Sequence, residues 1–152
     1  MPRLNRRLTM ELVISNAPFN RAAALSLRQA IFVTERGIPR DVEFDDRDTA
    51  DRIYVTLYQD ATHPVATLRL EPQSPEVMRF GRICTRQDLR GQGLGSRLLT
   101  AAENWARHHG YRTGTIHGEV SAQGFYERCG YVVTAGPFAE DGAPVVVLHK
   151  NF

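Results

Sequence analysis

The chain has 152 residues, a net charge of +2 and a single lysine, Lys150, beside many arginines. That length suits one domain with a real core, and so small a net charge gives no reason to expect a nucleic-acid partner. No apolar run approaches the roughly 20 residues of a membrane span, the N-terminal segment bearing Arg3, Arg6 and Arg7 is broken by Glu11, and Cys84 and Cys129 alone make no disulfide framework. A single domain over residues 1–152 is therefore expected, cytoplasmic, with neither signal peptide nor membrane span.

Thr9 to Ser15 reads as a first strand. Asn20 suits the N-cap of a helix from Arg21 to about Arg36, closed by Gly37, with Leu25, Ile31 and Phe32 facing the core and Ala22 and Arg28 on other faces. Ile38 to Asp51 is irregular and acidic, carrying Asp41, Glu43, Asp45, Asp46, Asp48 and Asp51 among Arg40, Arg47 and Arg52. Those carboxylates suit either attraction of a cationic amine or a solvated, internally balanced loop. A calcium loop is a poorer reading still, because the sixth-position glycine and the terminal glutamate are missing, and no metal site is expected.

Ile53 to Gln59 and Pro64 to Leu70 read as a hairpin around Asp60–His63, and Met78 to Thr85 as the next strand. Cys84 fits that apolar strand as a small core residue. Arg90-Gly91-Gln92-Gly93-Leu94-Gly95 then opens a helix from Gly93 to His109, with Leu94, Leu98, Ala101, Ala102 and Trp105 as its buried stripe and Gly110 at its end. Glycines there let the backbone turn freely and pass close to a ligand. The helix mouth offers unpaired N–H groups and the positive end of the dipole, a combination suited to a phosphate or pyrophosphate. The spacing is neither a Walker A loop, which needs Gly-Lys-Ser/Thr, nor the G-x-G-x-x-G of dinucleotide folds.

Thr113 to Glu119 reads as a strand, Ser121 as the cap of a short helix to Cys129, and Val132–Thr134 with Val145–His149 as a closing antiparallel pair around a loop holding Asp141-Gly142. The order of elements implies an α/β sandwich with one mixed, largely antiparallel sheet.

Two segments carry a resemblance to a known family. Arg90-x-x-Gly93-x-Gly95 resembles the pyrophosphate loop of the GNAT superfamily of N-acetyltransferases. Glu119 to Tyr131, with Ala122, Tyr126, Gly130 and Tyr131 in place, resembles that family's later strand–helix motif. Ile31-Phe32-Val33-x-Glu35 and Glu43-x-Asp45-Asp46-x-Asp48, together with Arg69 and Arg82, resemble an ElaA/YjcF-like subgroup, although Arg52 stands where that subgroup commonly has histidine.

The resemblance implies a single-domain GNAT-like fold in which the strands ending at Thr85 and Glu119 run parallel and splay apart, flanked by helices. It implies acetyl-CoA as cosubstrate, an amine acceptor as partner and no metal. Main-chain groups of Ile83, Cys84 and Thr85 would pair with the pantetheine arm, a backbone N–H near Ile83 would polarise the acetyl carbonyl, and Arg90, Gly91, Gln92, Gly93, Leu94, Gly95 and Ser96 would hold the pyrophosphate. Phe125 and Tyr126 would lie beside the thioester. Tyr126 is the candidate general acid, a phenol whose ordinary pKa is about 10. Glu119 is the candidate base or a hydrogen-bonding partner of the coenzyme, and His117, on the same strand face, would tune it or fill space. The alternative is a catalytically idle coenzyme A-binding module for sensing or partner contact. Exposed edge strands near the C-terminus leave a homodimer open.

Overall fold

The computed structural model describes residues 10–152. Thr9, the expected start of the first strand, and Arg3, Arg6 and Arg7 lie outside the described residues. A seven-stranded sheet runs in the order β1-β2-β3-β4-β5-β7-β6. Its strands are β1 (Glu11–Ser15), β2 (Tyr54–Asp60), β3 (His63–Pro72), β4 (Val77–Thr85), β5 (Thr113–Glu119), β6 (Val132–Glu140) and β7 (Ala143–Asn151). Every neighbouring pair is antiparallel except β4–β5. The helices are α1 (Pro18–Arg28), α2 (Arg40–Glu43), α3 (Leu94–His108) and α4 (Gln123–Arg128).

β3 shows why both faces of the sheet are covered. Val65 to Glu71 are all buried. Ala66, Leu68 and Leu70 join Leu98, Leu99, Ala102 and Ala106 of α3 in the main core, whereas Arg69 on the alternate face meets Asp45 and Asp48 of the acidic segment. The stripe of α3 is rotated from the expected one: Leu94, Leu98 and Ala102 are buried with Leu99 and Ala106, whereas Ala101 and Trp105 are only half-buried.

The first helix departs from expectation in three ways. It starts at Pro18, whose missing N–H costs nothing in a first turn. Asn20 is buried inside it and brackets two strands rather than capping: Nδ2 donates to the carbonyls of Ser15 and Tyr54 at 3.0 and 2.8 Å, and Oδ1 accepts from the Tyr58 hydroxyl at 2.7 Å. After Arg28 the coil widens into a π-helical turn over Gln29–Glu35, closed by the Arg36 N–H on the Ile31 carbonyl five residues back. Ile31 stays in a small cluster with Leu27 and Cys84, with Phe32 against it.

Arg28 does not sit on an outer face. It is fully buried, with Nε on Glu43 at 2.9 Å and both terminal nitrogens on Asp48 at 2.6 and 2.9 Å. Arg69 binds Asp45 at 2.7 Å and Glu71 at 3.0 Å. The acidic segment is therefore divided. Glu43, Asp45 and Asp48 turn inward onto arginines, and Asp41, Asp46 and Asp51 stay exposed. β6 and β7 are also longer than expected and turn at Asp141-Gly142, both at positive φ as a tight hairpin requires.

Candidate active site

Three rungs join β4 to β5: Val77 to Thr113, Met78 to Gly114 and Arg79 to Thr115. Beyond them the strands diverge. The register of β4 on β3 also slips, from Thr67–Cys84 to Arg69–Gly81, so Arg82 and Ile83 leave both ladders. Arg82 takes a left-handed φ of 50°. Its guanidinium is fastened to the Glu43 and Val42 carbonyls and to Asp45, each at 3.2 Å, and these contacts hold the bulge in place.

The wedge so opened is continuous with the glycine loop. Its 760 Å³ cleft is lined by Ile83, Cys84, Thr85, Arg90, Phe125 and Tyr126, among others, with Gly91, Gly93, Leu94 and Gly95 at one end. Gln92 and Ser96 belong to the same loop but are exposed outside the cleft wall. Gly91 and Gly93 stand at φ of 77° and 78°. Gly95 serves packing instead, since a Cβ there would lie 3.2 Å from the Phe125 ring. No side chain caps α3, so its first-turn N–H groups point unpaired into the mouth. Free donors, a dipole and a roomy wedge together fit a diphosphate carrying a long, thin arm.

Arg90 is closed on Glu35 through two bonds of 2.7 and 3.0 Å, while its Nε donates to the Thr85 carbonyl. The same pairing holds the Glu35 carboxyl below its usual range. Cys84 is buried, and burial pushes its thiol up to about 12, so only its backbone is available to chemistry.

Tyr126 lies on the bare backbone of Gly118, where a Cβ would come within 2.7 Å of its ring. Burial first, and then the Glu119 carboxylate, push its phenol up, keeping it a proton donor rather than a phenolate. Glu119 is taken at Oε1 by Arg36 Nη2 across the cleft. His117 does not touch Glu119. Its Nδ1 bonds Glu140 Oε2 at 2.9 Å, and Phe138 stands edge-on to its ring.

A second cleft of 340 Å³ continues from Tyr126, Glu119 and Ile83 toward Arg36, Arg79, His117 and Glu140. Burial opposes ionisation of Glu140, but His117 and then Arg79 outweigh it and hold the carboxyl below its usual range. Sequence reasoning missed Arg36, Arg79 and Glu140. Arg36 reads in the sequence only as a helix end, and Arg79 and Glu140 carry no motif. Among the described residues no group of three or more His, Cys, Asp or Glu is arranged to hold a metal, and no helix is long and apolar enough to cross a membrane.

A splayed parallel pair, a glycine-lined helix mouth and a buried tyrosine at their junction define an acyltransferase fold of one kind. The chain belongs to the acetyltransferase (GNAT) family, matched over residues 21–131. An acetyltransferase homologue of Bacillus subtilis is 34% identical over 130 residues, covering 84% of this chain and 87% of its own length. The Bacillus subtilis protein YyaT is 30% identical over 130 residues, covering 84% and 86%. A crystal structure of a Lactobacillus plantarum protein assigned as an N-acetyltransferase shares 60% identity at a TM-score of 0.91, covering 93% of this chain and 97% of that one. Escherichia coli ElaA, 23% identical with a TM-score of 0.79 and coverage of 93% and 99%, shares the fold. The chain is thus a GNAT acyltransferase, of a family that takes acetyl-CoA and an acceptor.

Proposed function

We propose that this chain, working as one N-acetyltransferase domain, moves an acetyl group from acetyl-CoA to the primary amine of a small molecule or peptide by direct attack. One observation carries the reading: the uncapped mouth of α3, the β4–β5 wedge and Tyr126 line a single continuous cleft, which opens beyond Tyr126 into a second.

Acetyl-CoA supplies an activated thioester. Gly91, Gly93 and the first-turn N–H groups of α3 bind its diphosphate, with Gln92, Ser96 and an Arg90 released from Glu35 at the rim. Ile83, Cys84 and Thr85 pair their backbone with the arm, and the Ile83 N–H, freed by the bulge, faces the carbonyl and stabilises its growing negative charge. Phe125 flanks the sulfur, and Tyr126 protonates it as it departs. Arg36 takes Oε1 of Glu119, leaving Oε2 for the proton shed by the amine. Holding both reactants in one cleft supplies much of the acceleration.

The test is thiol release from acetyl-CoA with a panel comprising a polyamine, an amino sugar, an amino acid and a peptide. Tyr126→Phe should lower kcat about 10²-fold and leave coenzyme affinity within a few-fold. Unchanged turnover removes Tyr126 from the chemistry. Coenzyme binding with no amine turned over leaves only a binding module.

A further inference from the structure

The second cleft carries charged groups of both signs, Arg36, Arg79, Arg82, Glu119, Glu140 and Asp141, between apolar walls that include Phe32, Phe80 and Ile116. At the shallow end, beside Tyr126, stand Glu119 and its partner Arg36. At the deep end, where the last β4–β5 rung closes, stands Arg79. Its side chain is only 11% exposed, yet its one ionic partner among the described residues, Glu140, is 3.4 Å from Nη2. Its Nε is buried with no hydrogen-bond partner among the described residues. A guanidinium withdrawn this far from water is normally satisfied by two or more acceptors. Arg28 and Arg69 of this same chain are satisfied in that way. Glu140 is more firmly engaged elsewhere, at 2.9 Å to His117.

We propose that Arg79 is the anion-binding group of the acceptor site, and that the acceptor is a small amino acid or amino-acid-like zwitterion whose carboxylate docks there. The inference rests on the N-acetyltransferase reading above. His117 and Arg79 both reach Glu140, so the guanidinium lies at the level of His117. Gly118, beneath Tyr126, and Glu119 are one and two residues further along β5, about 3 to 7 Å of strand rise. An amine and a carboxylate a few ångströms apart span that interval. The amine then lies near Glu119 and the thioester, and the carboxylate completes the bonding of Arg79 through its flat, forked donor edge. The 340 Å³ of the cleft accommodates a molecule of that size. A polyamine or an amino sugar would bring a second cation or a neutral ring to Arg79 and leave it unsatisfied.

Matched acceptors test this: alanine and methionine against alaninamide and methioninamide, assayed by thiol release with saturating acetyl-CoA. A carboxamide has the less basic and hence more freely nucleophilic amine, so intrinsic reactivity favours it. Wild type should nevertheless prefer the acids by about ten- to a hundredfold in kcat/KM, and Arg79→Gln should collapse that ratio toward one, chiefly through KM of the acids. A ratio is insensitive to how much of the variant folds. In parallel, binding of methionine to the CoA-saturated protein is followed by calorimetry. Carboxamides used as well as acids, or a preference that survives Arg79→Gln, overturns the inference and leaves the acetyltransferase reading intact. Acetylation confined to amines without a carboxylate does the same. Arg79-dependent methionine binding without turnover of any amine upholds the anion site and removes the enzyme reading, and neither binding nor turnover removes both.

Discussion

Gly118→Ala is the sharpest probe of how Tyr126 is positioned. The added methyl would lie 2.7 and 2.9 Å from Cε2 and Cδ2 of Tyr126, and 3.2 Å from Cδ1 of Leu148. Carbon atoms rest at about 3.5–4.0 Å, so the ring must retreat by about 1 Å. It has little room to do so. Tyr126 is 8% exposed, Phe125 stands 5.2 Å away centroid to centroid, and Phe125 is itself backed by Gly95. Overpacking of this kind costs about 1–3 kcal/mol, and a domain of this size loses about 2–4 °C in Tm per kcal/mol. The hydroxyl moves with the ring, and a misplacement of about 1 Å at a reacting group costs on the order of 10²-fold in rate.

Two losses are therefore expected together: a Tm lower by several degrees, and a kcat for thiol release lower by about two orders of magnitude at saturating acetyl-CoA. Coenzyme affinity measured by calorimetry should stay within a few-fold, because the glycine loop is untouched. The decisive arm is a double-mutant cycle. In a Tyr126→Phe background there is no hydroxyl to displace, so adding Gly118→Ala should lower Tm again yet leave kcat where the single Phe variant had it. Losses in kcat that multiply, or a Gly118→Ala enzyme with reduced Tm and wild-type kcat, would refute the claim that the bare backbone of β5 exists to seat the Tyr126 hydroxyl.

Gly93→Val should weaken coenzyme binding about tenfold by calorimetry. No neighbour lies within 4 Å of the added Cβ, so the penalty comes from forcing a β-branched residue to a φ of 78° rather than from a clash. Arg28→Met should cost about 3–5 kcal/mol in denaturant unfolding, since it leaves Glu43 and Asp48 buried without their shared cation. Stability should also fall in acid. Asp45 and Asp48 are held below the usual carboxylate value of 3.8 by Arg69 and by Arg28 against the opposing effect of burial. Their contribution is complete above that pH and drains away as pH drops below it toward their native values. Glu43, raised by burial, works in the opposite sense, so urea midpoints from pH 7 to pH 2 should decline less steeply than three depressed carboxylates would give.

What could be read from the chain alone was the chemistry carried by backbone. Gly91 and Gly93 announce a positive-φ loop at a helix mouth, and that loop is where the structure has it. Side-chain partnerships were illegible because they join distant segments with no periodic trace. Arg36 and Glu119 are 83 residues apart, and Arg28 and Asp48 are 20 apart. Gly118 and Gly95 were silent for another reason: their role is the volume they leave to Tyr126 and Phe125. Only Val132–Thr134 of β6 is legible as strand, and Gly136-Pro137 lies within the part that is not. At the edge of the sheet one side of the ladder is unpaired, so a proline is tolerated there and the strand runs on to Glu140.

Two of the chain's arginines have a structural reason to be arginine rather than lysine. Arg28 and Arg69 are 0% and 1% exposed, and each serves several acceptors in one plane, which a forked guanidinium does and an ammonium does not. These two residues clamp Glu43, Asp45 and Asp48, and Glu43 and Asp45 in turn hold Arg82 at its left-handed turn. The β4 bulge, and with it the orientation of the Ile83 N–H, therefore depends on the ion pairs of Arg28 and Arg69, which line neither cleft. Damage to the acidic segment should reach catalysis through backbone geometry, raising the barrier at the carbonyl without touching any group that meets a substrate.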